Sequence, residues 1–372
     1  MRTLIFAIGL LLLQSCSKAP KEIHVGFIAP LSERATDLGI APSKAMELAV
    51  EEYNQNKPEQ APRIVLHLCD DQWSKENALP CYNQLKNDHN IQVVFIGNSD
   101  GTLAIQESIE RDKVIAVNPI NNDNLLSSLN ANTFKIAKTT EEASSIIGIR
   151  IIELGLKNVL LMNYPNDFMR RATRSVTSLL QERNIPYRVI ETPKGQTEFS
   201  NETQLAVQQG YDAVVFFGYK EFGFAMKEFR EAGITARFFG STVLLDPLYF
   251  TNSDGHIIGT ECTFFTQQDG NYVLAENFLT NYHNKYKNRP VSVWPVLQSY
   301  DAMKIVLDQF KEYDEATAEH DFANWLRSRL LNVRRFRGVC GNISITHDGS
   351  SRGIYFSLYK YQAKGTLVKL NN

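Results

Sequence analysis

Polar and aromatic side chains that could hold a small anion recur just past the apolar runs of this chain. Ser99 and Thr102 follow the run that ends at Gly97, and Asn121 and Asn122 follow the one ending near Val117. Phe168 comes after Val159 to Met162, Tyr219 after Ala213 to Phe217, and Thr242 after Arg237 to Phe239. Hydroxyls, amides and the free N–H groups of helix starts suit a carboxylate or another small anion. Aromatic walls cover apolar parts of a ligand and exclude water. Phe168 fits a core position equally well, Asn121 and Asn122 could simply close a turn, and Trp73 and Trp294 fit packing as well as stacking. Reaction chemistry finds no comparable set. Seven histidines are scattered, and no Gly-x-Ser-x-Gly elbow, His-Glu-x-x-His or phosphate loop occurs. The expectation is a binding protein with no catalytic residues, cofactor or metal.

Five cysteines add a second kind of chemistry. Arg2 and the ten-residue apolar run Leu4 to Leu13 precede Leu13-Gln14-Ser15-Cys16. A run so short cannot cross a hydrocarbon core, which needs ~20 residues, so residues 1–15 read as an export signal. The segment resembles a bacterial lipoprotein signal, which implies acylation of Cys16, a lipidated tether over residues 16–22, and a mature chain outside the cytoplasm. Ser17 is not the Asp that often retains lipoproteins at the inner membrane, so either membrane remains open. Cys69, Cys81, Cys262 and Cys340 are then an even set in an oxidising compartment, with three possible pairings. Cys69 ends an apolar strand and Cys81 lies early in the following helix, so this pair is a reasonable staple, leaving Cys262 with Cys340. Zinc is a poor reading without a Cys-x-x-Cys or a nearby histidine pair.

The elements that must position these residues alternate. Ile23 to Ala29, Ile64 to Leu68, Val93 to Ile96 and Val114 to Val117 are β-rich runs, each followed by helical pattern; Met46, Ala49, Val50 and Tyr53 share one helix side. A second series starts at Thr140, with a helix to Leu154 and strands at Val159 to Met162, Tyr187 to Ile190, Ala213 to Phe217 and Arg237 to Phe239. Gly155 and Gly233 stand where left-handed helix ends are expected. Later come an extended segment at Ile257 to Phe265, helices at Val293 to Tyr313 and Phe322 to Leu331, and strands at Asn342 to Thr346 and Ile354 to Tyr361. The prediction is an α/β chain of two doubly wound parallel-sheet lobes joined by a multi-strand hinge. Residues 23–138 and 266–340 would form the N-terminal lobe, and 139–265 and 341–372 the C-terminal lobe. A net charge of −2 gives no general attraction to nucleic acid.

At these residues the chain resembles the type I periplasmic substrate-binding proteins, specifically the Leu/Ile/Val-binding family of ABC importers. Gly26 to Ser32 with Gly39 and Ala45 to Asn54 carry its opening. Asp70-Asp71, Gly97 to Ala104, Phe216 to Tyr219, Phe229 to Gly233, Tyr300-Asp301-Ala302 and Phe336 to Val339 with Gly341 follow in order. The resemblance implies that Ser99 holds a ligand carboxylate, that Ile120 (through its backbone) and Asn122 bind the same ligand head, and that Tyr219 closes from the second lobe. Phe168 replaces the usual Tyr, and Thr242 occupies the place of the acid that receives a ligand ammonium. A buried ammonium needs a compensating charge, and Asp100, Asp246 and Asp301 are the candidates to supply it. The implied protein is a monomeric, lipid-anchored solute-binding subunit that hands a small ligand to an ABC permease; the alternative is a ligand-sensing or partner-regulating lipoprotein of the same fold. An unmodified amino acid fits poorly; a small carboxylate or amide-like solute fits better.

Overall fold

The computed structural model describes residues 21–33, 35–122, 126, 129–265, 272–290, 292–313 and 321–370. The export signal and Cys16 lie outside the described residues. The strands are β1 (Glu22–Ala29), β2 (Arg63–Asp70), β3 (Val93–Ile96), β4 (Ile115–Asn118), β5 (Thr133–Lys135), β6 (Val159–Asn163), β7 (Tyr187–Glu191), β8 (Ala213–Phe217), β9 (Arg237–Gly240), β10 (Glu261–Phe265), β11 (Phe336–Arg337), β12 (Gly341–Ile345), β13 (Ser351–Ile354), β14 (Phe356–Ala363) and β15 (Thr366–Lys369). The helices are α1 (Ile40–Asn56), α2 (Lys75–His89), α3 (Ser99–Ala104), α4 (Gln106–Asp112), α5 (Thr140–Glu153), α6 (Asp167–Glu182), α7 (Ser200–Gln209), α8 (Phe222–Glu231), α9 (Pro247–Asn252), α10 (Val273–Tyr286), α11 (Val293–Phe310) and α12 (Phe322–Leu331).

One sheet runs β2-β1-β3-β4-β5, all parallel; the other runs β15-β14-β10-β9-β8-β6-β7, parallel from β7 to β10 and antiparallel beyond. Parallel strands joined by crossover helices are covered on both faces, which is why β3, β4, β6 and β8 are buried throughout and apolar up to the asparagines that end β4 and β6. Side chains alternate between faces. Val25, Phe27, Val93 and Phe95 meet Met46, Ala49, Val50 and Tyr53 of α1, while Ile28, Val94 and Ile96 meet Ala78, Tyr82 and Leu85 of α2. The edge strand β7 is largely exposed and carries Arg188 and Glu191, charges that discourage pairing with another chain.

The chain passes between the sheets after β5, after β10 and at Tyr355. The first and third passages are tied together. Lys135 N–H donates to Gly349 O at 2.8 Å, Ser351 Oγ to Ala137 O at 2.8 Å and Tyr355 N–H to Cys340 O at 2.9 Å. The buried Lys135 ammonium donates to Leu126 O (3.2 Å) and Asp348 O (3.0 Å). Burial works against the Asp348 carboxylate, but donors from Thr346 and Ser350 and the nearby Lys135 charge hold it down at about 2. Asp301, buried in α11, accepts from Val339 N–H at 2.8 Å and Cys340 N–H at 2.7 Å. A Cβ on Gly338 would overlap that carboxylate, so this position needs glycine.

Three expectations need correction. Cys69 and Cys81 are bonded, but Cys262 and Cys340 form no disulfide. Cys262 lies within β10, in register with Tyr359 on one side and Gly240 on the other, while Cys340 is held against Asp301 beside the small sheet β11-β12-β13. Both thiols are buried, Cys262 within a strand and Cys340 in the turn before β12, and they are not bonded to each other. The extended segment is shorter than expected, because turns occupy 253–259 and pairing starts only at Glu261. The run Ile354 to Tyr361 is not one strand; it breaks at Tyr355, where the chain leaves β13 for the other sheet.

Candidate functional site

Ligands of open parallel sheets bind beyond the carboxyl ends of the strands, and two asparagines build that region in the first lobe. Asn98 caps α3, its Oδ1 accepting from Asp100 N–H (3.0 Å) and Gly101 N–H (3.3 Å). Asn118, at the end of β4, accepts from Ile120 N–H (3.0 Å) and Asn121 N–H (2.8 Å) and donates to Thr102 Oγ1 (3.1 Å). Thr102 Oγ1 donates in turn to Asn98 O at 2.8 Å, and Asn121 Nδ2 to Gly97 O at 2.9 Å. Thr102, Ile120 and Asn121 therefore spend these polar groups on a rigid floor. Asn122 Nδ2 reaches Ala137 O at 3.5 Å, the limit of a hydrogen bond. Ser99, half-buried at the first position of α3, is different: its hydroxyl has no partner among the described residues. It is the donor this floor leaves available.

The second sheet presents an aromatic group. Asn166 caps α6 through Met169 N–H (2.8 Å), and its Nδ2 donates to the Tyr219 hydroxyl at 3.3 Å. Tyr219 packs edge-on against Tyr164, centroids 5.0 Å apart, and remains 41% exposed. That exposure leaves one face open to a ligand. Phe168 is half-buried and lines a recess with Lys138, Thr139, Ser241, Thr263 and Phe356. Thr242 opens the short turn after β9.

Two of the acids considered as substitutes at the Thr242 position already have structural roles. Asp246 caps α9 through Leu248 N–H at 2.9 Å, and Asp301 holds the β11–β12 connection. Desolvation raises Asp301 to about 7, so it is a poor standing charge. Asp100 is exposed in the first turn of α3.

Sequence reasoning overlooked Asn98, Asn118 and Asn166, although Asn before a helical run is a recognisable cap signal. It also overlooked Lys138, which nothing in the sequence distinguishes. The Lys138 ammonium stands 3.9 Å from the Trp294 ring centroid, and burial pushes its pKa down to about 8; the backbone N–H of Lys138 donates to Gln298 Oε1 at 2.5 Å. No group of His, Cys, Asp or Glu among the described residues could hold a metal ion.

The fold recurs in known proteins. Comparison with curated protein sequences gives no match. A leucine binding protein from Thermotoga maritima superposes with a TM-score of 0.69 at 17% identity, covering 94% of this chain and 98% of that one. A putative branched-chain amino acid ABC transporter protein from Silicibacter pomeroyi gives 0.79 at 15% identity, over 95% and 96%. A solute-binding protein of an ABC transporter from R. palustris, in complex with benzoate, gives 0.66 at 16%, over 94% and 95%. Residues 22–364 match the family described as periplasmic binding protein, whose members bind solutes and are not enzymes. The chain belongs to the periplasmic binding protein family.

Proposed function

We propose that this protein is an extracytoplasmic solute-binding subunit of an ABC importer, anchored through an acylated Cys16. It takes a small polar or carboxylate solute between its lobes, and contacts from both lobes favour the closed form that docks on the permease. The single observation that carries this reading is the Ser99 hydroxyl, without a partner among the described residues at the start of α3, over a floor whose neighbouring polar groups are already satisfied. Leucine and benzoate, named for two of the structural relatives, both present a carboxylate. Thr242 in place of an acid argues against a free ammonium on the solute.

Ser99→Ala should weaken solute binding about tenfold or more, the ~1.5 kcal/mol of a hydrogen bond to a polar or charged acceptor. Calorimetry on protein stripped of bound solute reads this directly. Unchanged affinity in a folded variant would remove Ser99 from the site. The anchor has its own test: Cys16→Ser should move the protein from the membrane fraction to the soluble one, and continued membrane attachment would reject lipidation.

A further inference from the structure

Three histidines meet at the edge of the first sheet. His24 lies near the amino end of β1, the end opposite the candidate site, His67 in the edge strand β2 and His89 in the last turn of α2. His24 Nδ1 and His67 Nε2 are 2.9 Å apart, and the His67 ring lies face to face with that of His89, centroids 3.7 Å apart and planes 11° apart. All three side chains are half-buried. The rings stack and do not converge on a point, and no metal site among the described residues includes them.

These contacts limit how many protons the cluster holds. The short N···N contact needs one donor and one acceptor, so His24 and His67 cannot both be protonated while it lasts. Two stacked imidazolium rings repel, so the pair His67 and His89 disfavours a second charge. His67 belongs to both contacts and is the ring that must stay neutral. Burial, then the charges of His89 and His24, push its pKa below the ordinary imidazole value, and no carboxylate is among the groups that act on it. The charged neighbours are engaged elsewhere or face solvent. Glu22 on β1 pairs with Arg63 of β2 at 2.6 Å, Lys21 lies over Tyr313, and Lys86 of α2 donates to Asn90 Oδ1 and Ile91 O. Asp112 of α4 is taken by Arg111 and Tyr82, and Asp88 of α2 is exposed.

Two ties therefore hold α2 to the sheet edge, and only one of them is covalent. Cys69 is two residues past His67, and Cys81 is eight residues before His89, so the disulfide and the histidines join the same strand face to the same helix side. Beyond the helix, Gln92 N–H donates to His24 O and His24 N–H to Gln92 Oε1, both at 3.0 Å. We propose that the histidines are an acid-release clasp: protonation of His67 frees the last turn of α2, Lys86 to Asn90, from β1 and β2, while the disulfide and Gln92 keep its two ends in place. The clasp involves neither Ser99 nor the solute. The unfolded chain takes a proton at His67 at the ordinary value of 6.5, and the folded chain only at a lower one. The clasp is therefore fully stabilising above 6.5 and weakens as pH falls from there to the folded value.

The test is hydrogen exchange of the mature, disulfide-bonded protein at about pH 7.5 and about pH 5, corrected for the intrinsic rate at each. Wild-type amides of residues 86–90 should lose about tenfold or more of their protection at the lower pH, while those of residues 78–82, around the disulfide, should not. His67→Gln still exchanges a hydrogen bond with His24 but takes no proton, so its protection over residues 86–90 should be the same at both values. His89→Gln removes one of the two neighbouring charges and should reduce the loss without abolishing it. Unchanged wild-type protection over residues 86–90 overturns the inference, as does a loss in His67→Gln equal to that of the wild type. A loss that spreads equally over residues 78–82 is unfolding of the lobe and overturns it too. If His67→Gln does not fold, an undiminished loss in His89→Gln overturns it instead.

Discussion

Reduction of the Cys69–Cys81 disulfide should destabilise the first lobe by roughly 3 kcal/mol. The bond joins β2, at the edge of the first sheet, to the second turn of α2, with a sequence separation of 12. Closing a loop of that length removes chain entropy from the unfolded state, and the loop-length relation gives about 2.9 kcal/mol at 25 °C. Little else is lost in the native state, because Ala78, Tyr82 and Leu85 still pack α2 onto Ile28, Val94 and Ile96. The other two described cysteines are not bonded to each other, so a reductant acts only on this link among the described residues. The assay is thermal unfolding of the mature chain with and without dithiothreitol, beside a Cys69→Ser, Cys81→Ser double variant. At roughly 2–4 °C per kcal/mol for a lobe of this size, the first transition should fall by about 6–12 °C. The double variant should match the reduced wild type and ignore the reductant. A shift below about 2 °C, or peptide mapping that finds Cys69 joined to Cys262 or Cys340, would refute the reasoning.

Two further perturbations probe the passages between the lobes. Gly338→Ala drives a Cβ into the Asp301 carboxylate that fixes Val339 and Cys340, and should cost about 1–3 kcal/mol in urea unfolding; an unchanged midpoint would show that this junction yields freely. Asp348 is depressed to about 2 in the folded chain, so its contribution is present above the ordinary carboxylate range and lost as pH falls through about 2. Because its side chain is 39% exposed, screening limits the effect to about 1 kcal/mol. Wild type should exceed Asp348→Asn in stability by that amount at pH 7 and not at pH 2; an equal gap at both pH values would assign the effect to packing.

Much of the fold was legible because burial on both faces leaves long apolar runs. Strands β1 to β4, β6, β8 and β9 lie within a residue or two of their expected positions. What was missed lacks that signature. Strand β5 is three residues long and includes Lys135, whose ammonium is satisfied by two carbonyls, one of them from the distant Asp348. Helix α10 begins with the exposed Val273, and only Ala275, Phe278 and Tyr282 are buried in it. The break at Tyr355 is set by a hydrogen bond to Cys340 O, a tertiary fact with no local sign. The Cys262–Cys340 expectation failed for a similar reason: elimination among four cysteines says nothing about where in the fold each thiol is buried.

At the site, strand ends indicated where to look, but spacing alone could not separate donors from scaffold. Thr102 and Ser99 are three residues apart in one short helix. Asn98 and Asn118 occupy the hydroxyl of the first and leave that of the second without a partner among the described residues.

Native mass spectrometry of the protein purified without denaturation, compared with Ser99→Ala prepared in the same way, tests the central claim most directly. The account predicts one small acid bound per wild-type chain, strongly depleted in the variant. Wild type and variant carrying the same adduct equally, or wild type that carries none and acquires none when small carboxylates are added, would contradict it.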